Sequence, residues 1–169
     1  MFRKGEKVIY GVRGVYEIVD IREETVLGAR SLYYVLCAKG DKADSQLFIP
    51  CDNAELTFSM RKLLSREQVM DIINNISSVP AAEWTGDSKR RQEIYKEALR
   101  SGDREALIAI IKAIYINSEK RRAEGKKAYV TDENAMQKAE RLVYSEFSEV
   151  LGISREQVLE LIIRSNEGK

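Results

Sequence analysis

The chain has 169 residues, 44% of them hydrophobic and 33% charged, with a formal net charge of +1 and no histidine. That length suits one ordinary domain or two small ones, and no apolar run approaches the roughly 20 residues of a membrane-spanning helix. Without histidine the commonest general base and transition-metal ligand are missing. There is also no phosphate-cradling Gly-rich loop, nucleophile elbow or distinctively spaced carboxylate pair, so neither an enzyme nor a cofactor or metal site is expected. The opening text MFRKGEKVIYG lacks a signal-peptide hydrophobic core, and a cytoplasmic location is expected. Cys37 and Cys51 are too few for a zinc ribbon, and Cys37 in YYVLCAK reads as a small buried hydrophobe. A disulfide is not favoured in a reducing compartment.

The near-neutral total hides an uneven distribution. Residues 1–60 carry 8 Lys/Arg against 9 Asp/Glu, residues 61–128 carry 15 against 10, and residues 129–169 carry 5 against 8. An anionic partner would be drawn to the middle block, although a solvated helical surface could also produce its excess.

The first 58 residues read as strands. KVIYGV (7–12), GVYEIVDI (14–21), RSLYYVLCAK (30–39), SQLFIP (45–50) and AELTF (54–58) are rich in β-branched, aromatic or apolar residues. Gly28, KGDKAD (39–44) and PCDN (50–53) supply turns between them. Five short strands with no long helix predict a small barrel of the SH3 or Tudor type over residues 1–58.

From residue 62 the pattern is helical, giving an α+β chain whose second domain, 62–169, holds about five helices. Ser65 and Gln68 have capping-box spacing, and Val69, Ile72, Ile73 and Ile76 form a helical stripe. A second helix starts at Asp87 or Ser88 and is stopped by Gly102. The third, about 103–123, contains LIAIIKAIYI and should sit centrally. Thr131 or Asp132 can cap a fourth, with Met136, Ala139, Val143, Phe147 and Val150 on its buried side and Gly152 at its end. The fifth opens with SREQV, the text that also opens the first. The likeness stops after five residues, which indicates a reused cap and not a structural repeat.

The only tryptophan, Trp84, lies in VPAAEWTGDSKRRQEIYK, after Pro80 and before the second helix. On that helix Ile94, Tyr95, Ala98 and Leu99 share an apolar face; Lys89, Lys96 and Arg100 fall opposite, with Arg90 and Arg91 flanking. These basic residues suit a phosphate, which would also meet the free N–H groups of the helix start; equally, they suit an ordinary solvated face. Trp84 can be an anchor that staples the loop to the helical core. Alternatively, its ring can wedge between base steps or stack on an unpaired base.

FRKGEKVIYGVRGVYEIVDI, LFIPCDNAEL, the single Trp before a basic helix, LRSGDREALIAIIKAIY and TDENAMQKAERLV occur in an order that resembles the CarD/CdnL-type bacterial transcription regulators over essentially the whole chain. The resemblance implies a Tudor-like domain that binds the RNA polymerase β subunit, of the kind also found in transcription-repair coupling factors. It further implies a helical domain that touches promoter DNA at the upstream edge of the melted bubble. There the family's tryptophan, Trp84 by position, acts as a minor-groove wedge and must be exposed. The implied polymerase contacts are a turn after the second strand and the strand before the proline, here Arg22, Glu24 and Thr25, and Gln46, Leu47 and Phe48. Glu24 and Phe48 stand where basic side chains are typical in the family. Asn134 stands where a DNA-contacting lysine is common, and Gly86, Asp87 and Ser88 separate the tryptophan from its arginines.

The expected function is therefore that of a transcription regulator which binds polymerase and stabilises the open promoter complex through largely sequence-independent DNA contacts. Trp84 would be the wedge, with Lys89, Arg90, Arg91, Lys96, Arg100, Lys126 and Lys127 as candidate DNA contacts. The alternative is a polymerase-binding protein–protein adaptor that makes no functional DNA contact. No membrane partner is expected, and the chain is expected to be a monomer, with dimerisation through an apolar helical surface as a further alternative.

Overall fold

The computed structural model describes residues 1–38 and 45–167, so the turn-prone KGDKAD lies outside the described residues. The chain divides into two compact units, Met1–Leu63 and Leu64–Lys169. In the first, β1 (Lys7–Tyr10), β2 (Val15–Val26), β3 (Ala29–Ala38), β4 (Leu47–Pro50) and β5 (Met60–Lys62) form one antiparallel sheet in the order β4-β3-β2-β1-β5. Every strand contributes to its core: Val8, Ile18, Tyr34, Leu36, Ile49 and Met60 are buried together. β4 and β5 are the two edges of the sheet.

The fifth strand is not where the sequence pattern puts it. AELTF forms the short helix α1 (Ala54–Phe58), and β5 follows it. Asn53 decides the matter, because its side chain accepts a hydrogen bond from Leu56 N at 3.0 Å and caps the helix. Five residues of mixed polarity do not tell strand from helix by periodicity alone.

The second strand runs five residues beyond its predicted end. A register shift between Ile18 and Asp20 marks a bulge, after which Ile21 again packs against the core. The bulge resets the alternation so that Arg22 is turned outward. The hairpin turn is then Leu27–Gly28, both with positive φ (52° and 82°), the signature of a two-residue type I′ turn.

The second unit contains α2 (Arg66–Asn75), a 3₁₀ turn (Ile76–Ser78), α3 (Ser88–Ser101), α4 (Arg104–Ala123), α5 (Val130–Leu151) and α6 (Arg155–Glu167). Ser65 and Gln68 form the predicted capping box. The repeated text makes the same cap before α6, where Ser154 N donates to Gln157 and Gln157 N to Ser154. Asp87 caps α3, and Gly102 ends it in the left-handed conformation. At α5 the pattern misleads: the cap position is Tyr129, without a side-chain cap, and Asp132 is buried inside the unit. The core combines Leu107, Ile110 and Ile114 of α4 with Ala139, Val143 and Phe147 of α5, along with Val69 and Ile73 of α2. Met136 and Val150 are only half-buried.

Candidate functional site

In the first unit the outward side chains of β2 and β4 make one cluster. Arg22 Nε donates to Glu24 at 2.7 Å, and the same guanidinium lies over the Phe48 ring, 5.5 Å from its centroid. Asp20 lies 3.7 Å from Arg22 and accepts a hydrogen bond from Lys4 at 3.2 Å. That bond holds the Asp20 carboxyl below the usual carboxylate range. Phe48 stays 42% exposed, a large apolar surface flanked by charge.

Arg22, Glu24 and Phe48 are thus brought together, across strands whose pairing sequence spacing does not reveal. Arg22–Thr25 lie within β2 and not in a turn, because the strand continues to Val26. Thr25 is exposed opposite Arg30. Leu47 packs against the core, which removes it from the outward surface, while Gln46 sits half-buried just before the strand.

In the second unit Trp84 is half-buried in the segment between the 3₁₀ turn and α3. One guanidinium, Arg91, lies 4.6 Å from its ring centroid and 5.0 Å from that of Tyr129. Arg91 Nη1 also donates to Thr85 O at 2.9 Å and Gly86 O at 3.1 Å, and its Nε reaches Asp132 at 3.4 Å. Both charged side chains are only 3% exposed. Burying such a pair is tolerated because the guanidinium is satisfied from several sides at once. Arg121 also lies over the Tyr129 ring, 3.9 Å from its centroid, donating to Tyr129 Oη at 3.0 Å and to Lys127 O at 2.9 Å.

Arg91 must accordingly be taken off the set of surface phosphate contacts. Its place was legible in retrospect: Arg91, Tyr95 and Ala98 are spaced i, i+4, i+7 and are all buried. The helix start is also not free for a phosphate, because the Asp87 carboxylate accepts from Lys89 N at 2.9 Å and Arg90 N at 3.4 Å. Tyr95 completes the buried cluster. Burial first, and then the Asp132 carboxylate, push its hydroxyl up to about 12.

Lys89, Arg90, Lys96 and Lys127 are exposed, and none of them forms an ion pair among the described residues. Arg100 is paired with Glu97 at 2.7 Å and Lys126 with Glu124 at 2.8 Å, both at the surface. Of the expected basic set, four side chains therefore keep their full charge for a partner. An open groove of about 920 Å³ between α3 and α4 is lined by Lys89 and Arg90 but also by Glu93 and Glu97, together with Ala82, Ala98, Ala106 and Ala109; Lys96 and Lys127 do not line it.

Sequence reasoning missed Asp132, Tyr129, Arg121 and Lys112. The Lys112 ammonium donates to the carbonyls of Ile76 (2.5 Å) and Val79 (2.6 Å), closing the turn that leads into the Trp84 segment. Nothing in local spacing announces these partners, which lie more than 30 residues apart in Lys112 and about 40 apart in the Arg91–Asp132 pair.

Among the described residues no helix is long and apolar enough to cross a membrane. The model of the CarD-like/TRCF RID domain family matches residues 2–64, ending where the second unit begins. No curated protein matches the chain. The matched stretch is the whole five-stranded sheet with α1, so the first unit is a CarD-like RNA polymerase-interacting domain, and the chain is a transcription-related protein that carries it.

Proposed function

We propose that this protein binds the β subunit of RNA polymerase through its first unit and uses its second to contact promoter DNA at the upstream edge of the bubble, stabilising the open complex without catalysing a reaction. On the polymerase side, β4 is a sheet edge, and its outer backbone groups suit strand addition by a partner. Main-chain pairing tolerates the exchange of typical basic side chains for Glu24 and Phe48, and the Arg22–Phe48 stack offers a defined side-chain contact beside it.

The observation that carries the DNA reading is Trp84: a large aromatic ring left partly exposed on the segment that leads into the helix bearing Lys89 and Arg90. Four cations that form no ion pair among the described residues offer only weak attraction for DNA alone. Tethering to polymerase supplies an effective concentration on the order of mM, which makes such a surface sufficient. Contacts of this kind read backbone and stacking, so little dependence on promoter sequence follows.

The test is the lifetime of open complexes formed with the matched polymerase, for wild type and Trp84→Ala. Base stacking is worth roughly 1–3 kcal/mol, so the variant should shorten the lifetime about 5-fold or more while polymerase binding is unchanged. Equal lifetimes for both proteins would remove the DNA role.

One set of observations favours a second reading, the adaptor that uses no DNA. Arg91 is internal, Arg100 and Lys126 are neutralised, and Asp87 occupies the helix start. Under that reading, reversing the charges of Lys89 and Arg90 leaves binding to a polymerase–promoter complex unaltered; under the DNA reading it weakens it.

A further inference from the structure

Trp84 sits on a segment that is tied down at every stage. Lys112 closes its entry by holding the carbonyls of Ile76 and Val79. Ala82 N donates to Ala109 O of α4 at 3.0 Å, fixing the middle to a helix. Arg91 collects the carbonyls of Thr85 and Gly86 just past the tryptophan, and Asp87 then caps α3. A segment meant only to span two helices does not need three separate side-chain and main-chain ties within a dozen residues.

The Arg91 guanidinium does two things at once. Its donors fix the backbone that follows Trp84, and its central carbon lies over the indole ring, 4.6 Å from the centroid. Asp132 fixes the guanidinium in turn, and Tyr129, itself gripped by Arg121, lies against it too. Trp84, Arg91, Tyr129 and Arg121 therefore form an alternating aromatic–cation stack. Tyr129 has a cation from each neighbour over its ring and is a supporting layer, whereas Trp84 is the terminal member of the stack.

We propose that Arg91 is a positioning residue that holds the Trp84 ring in a fixed orientation before any partner arrives, so that binding loses little conformational freedom of the ring. The proposal rests on the DNA reading of Trp84 for its purpose, though not for its geometry. Preorganisation of this kind raises affinity without adding a contact, because the rotamer and loop entropy is lost on folding instead of on binding. Lysine cannot replace Arg91 here: it keeps the charge but has neither the flat surface nor the fork that reaches Thr85, Gly86 and Asp132 together.

Since Trp84 is the only tryptophan, the intrinsic fluorescence of the full-length protein reports on this ring alone. In Arg91→Lys the acrylamide quenching constant should rise about two-fold and the steady-state anisotropy should fall. The open-complex lifetime should drop toward that of Trp84→Ala, with polymerase binding retained. Tyr129→Leu is the second variant, because it removes a supporting layer without leaving a buried charge; the same changes are expected at smaller size. A folded Arg91→Lys protein with wild-type quenching and anisotropy overturns the proposal. If Arg91→Lys does not fold, wild-type quenching in Tyr129→Leu overturns it instead. Raised quenching with a wild-type lifetime also overturns it, provided Trp84→Ala shortens the lifetime. Should Trp84→Ala itself leave the lifetime unchanged, the DNA reading fails separately, and the fluorescence comparison still decides whether Arg91 orients the ring.

Discussion

Removing the Asp132 carboxylate should expose how much of the helical unit depends on one buried pair. In Asp132→Ala, Arg91, which is 3% exposed in the native protein, is left with its charge uncompensated. Breaking a buried ion pair from one side costs about 3–5 kcal/mol. Arg91 keeps two carbonyl acceptors and two aromatic neighbours, which puts the expected loss at the lower end, about 3 kcal/mol. For a unit of about 100 residues, each kcal/mol moves Tm by roughly 4–8 °C, so a fall of about 12–24 °C is expected. Urea or thermal unfolding followed by far-UV circular dichroism measures it. The double variant Arg91→Met with Asp132→Ala should lose clearly less than the two single losses added together, since neither charge is then stranded. Additive losses, or a fall of less than about 4 °C for Asp132→Ala alone, would refute the reasoning that the pair is desolvated and coupled.

Two further outcomes follow from local geometry. The Tyr95 hydroxyl titrates at about 12 in the folded protein against about 10 in an unfolded chain. Its raised value means that the folded state disfavours the phenolate, so stability is undiminished below pH 10 and falls as pH climbs to 12. That loss is about 2–3 kcal/mol, and alkaline unfolding of Tyr95→Phe should be shallower by this amount. Tyr144, also raised to about 12 by burial, adds to the same window in both proteins. At neutral pH Tyr95→Phe should be close to wild type, because the hydroxyl makes no hydrogen bond of good geometry among the described residues. At the hairpin turn, Leu27 has φ of 52° and is fully exposed. Leu27→Asn should stabilise the first unit by about 0.5–1 kcal/mol, since Asn-Gly suits a type I′ turn and Asn tolerates the left-handed region. Equilibrium unfolding reads this, and a destabilised variant would contradict the turn assignment.

How much of this was legible beforehand depended on the range of the interaction. Helix starts at Ser65 and Asp87, the stops at Gly102 and Gly152, and the twice-used SREQ cap were all readable, because a cap is settled within four residues. The alternation of β2 was readable too, but only as far as the bulge after Ile18, where the period slips. AELTF failed because five apolar and polar residues satisfy both periods, and Asn53 broke the tie. The candidate site was legible in part. Lys89, Arg90, Lys96 and Lys127 are exposed and Trp84 is partly buried, whereas Leu47 turned inward and Arg91 became an internal clamp.

The amino-acid sequence by itself determined that this protein is a strand-built module followed by a helical one, with a single tryptophan ahead of a basic helix. Those features follow from propensity, periodicity and capping, which act over one or two turns of chain. Only the tertiary structure decided that Arg91 faces Asp132 across 41 residues, that Phe48 lies under Arg22, and that Lys112 closes the turn before the tryptophan segment. Such pairings are selected by which charged and aromatic groups find full satisfaction once helices and strands pack, a choice made among distant residues that no local pattern records.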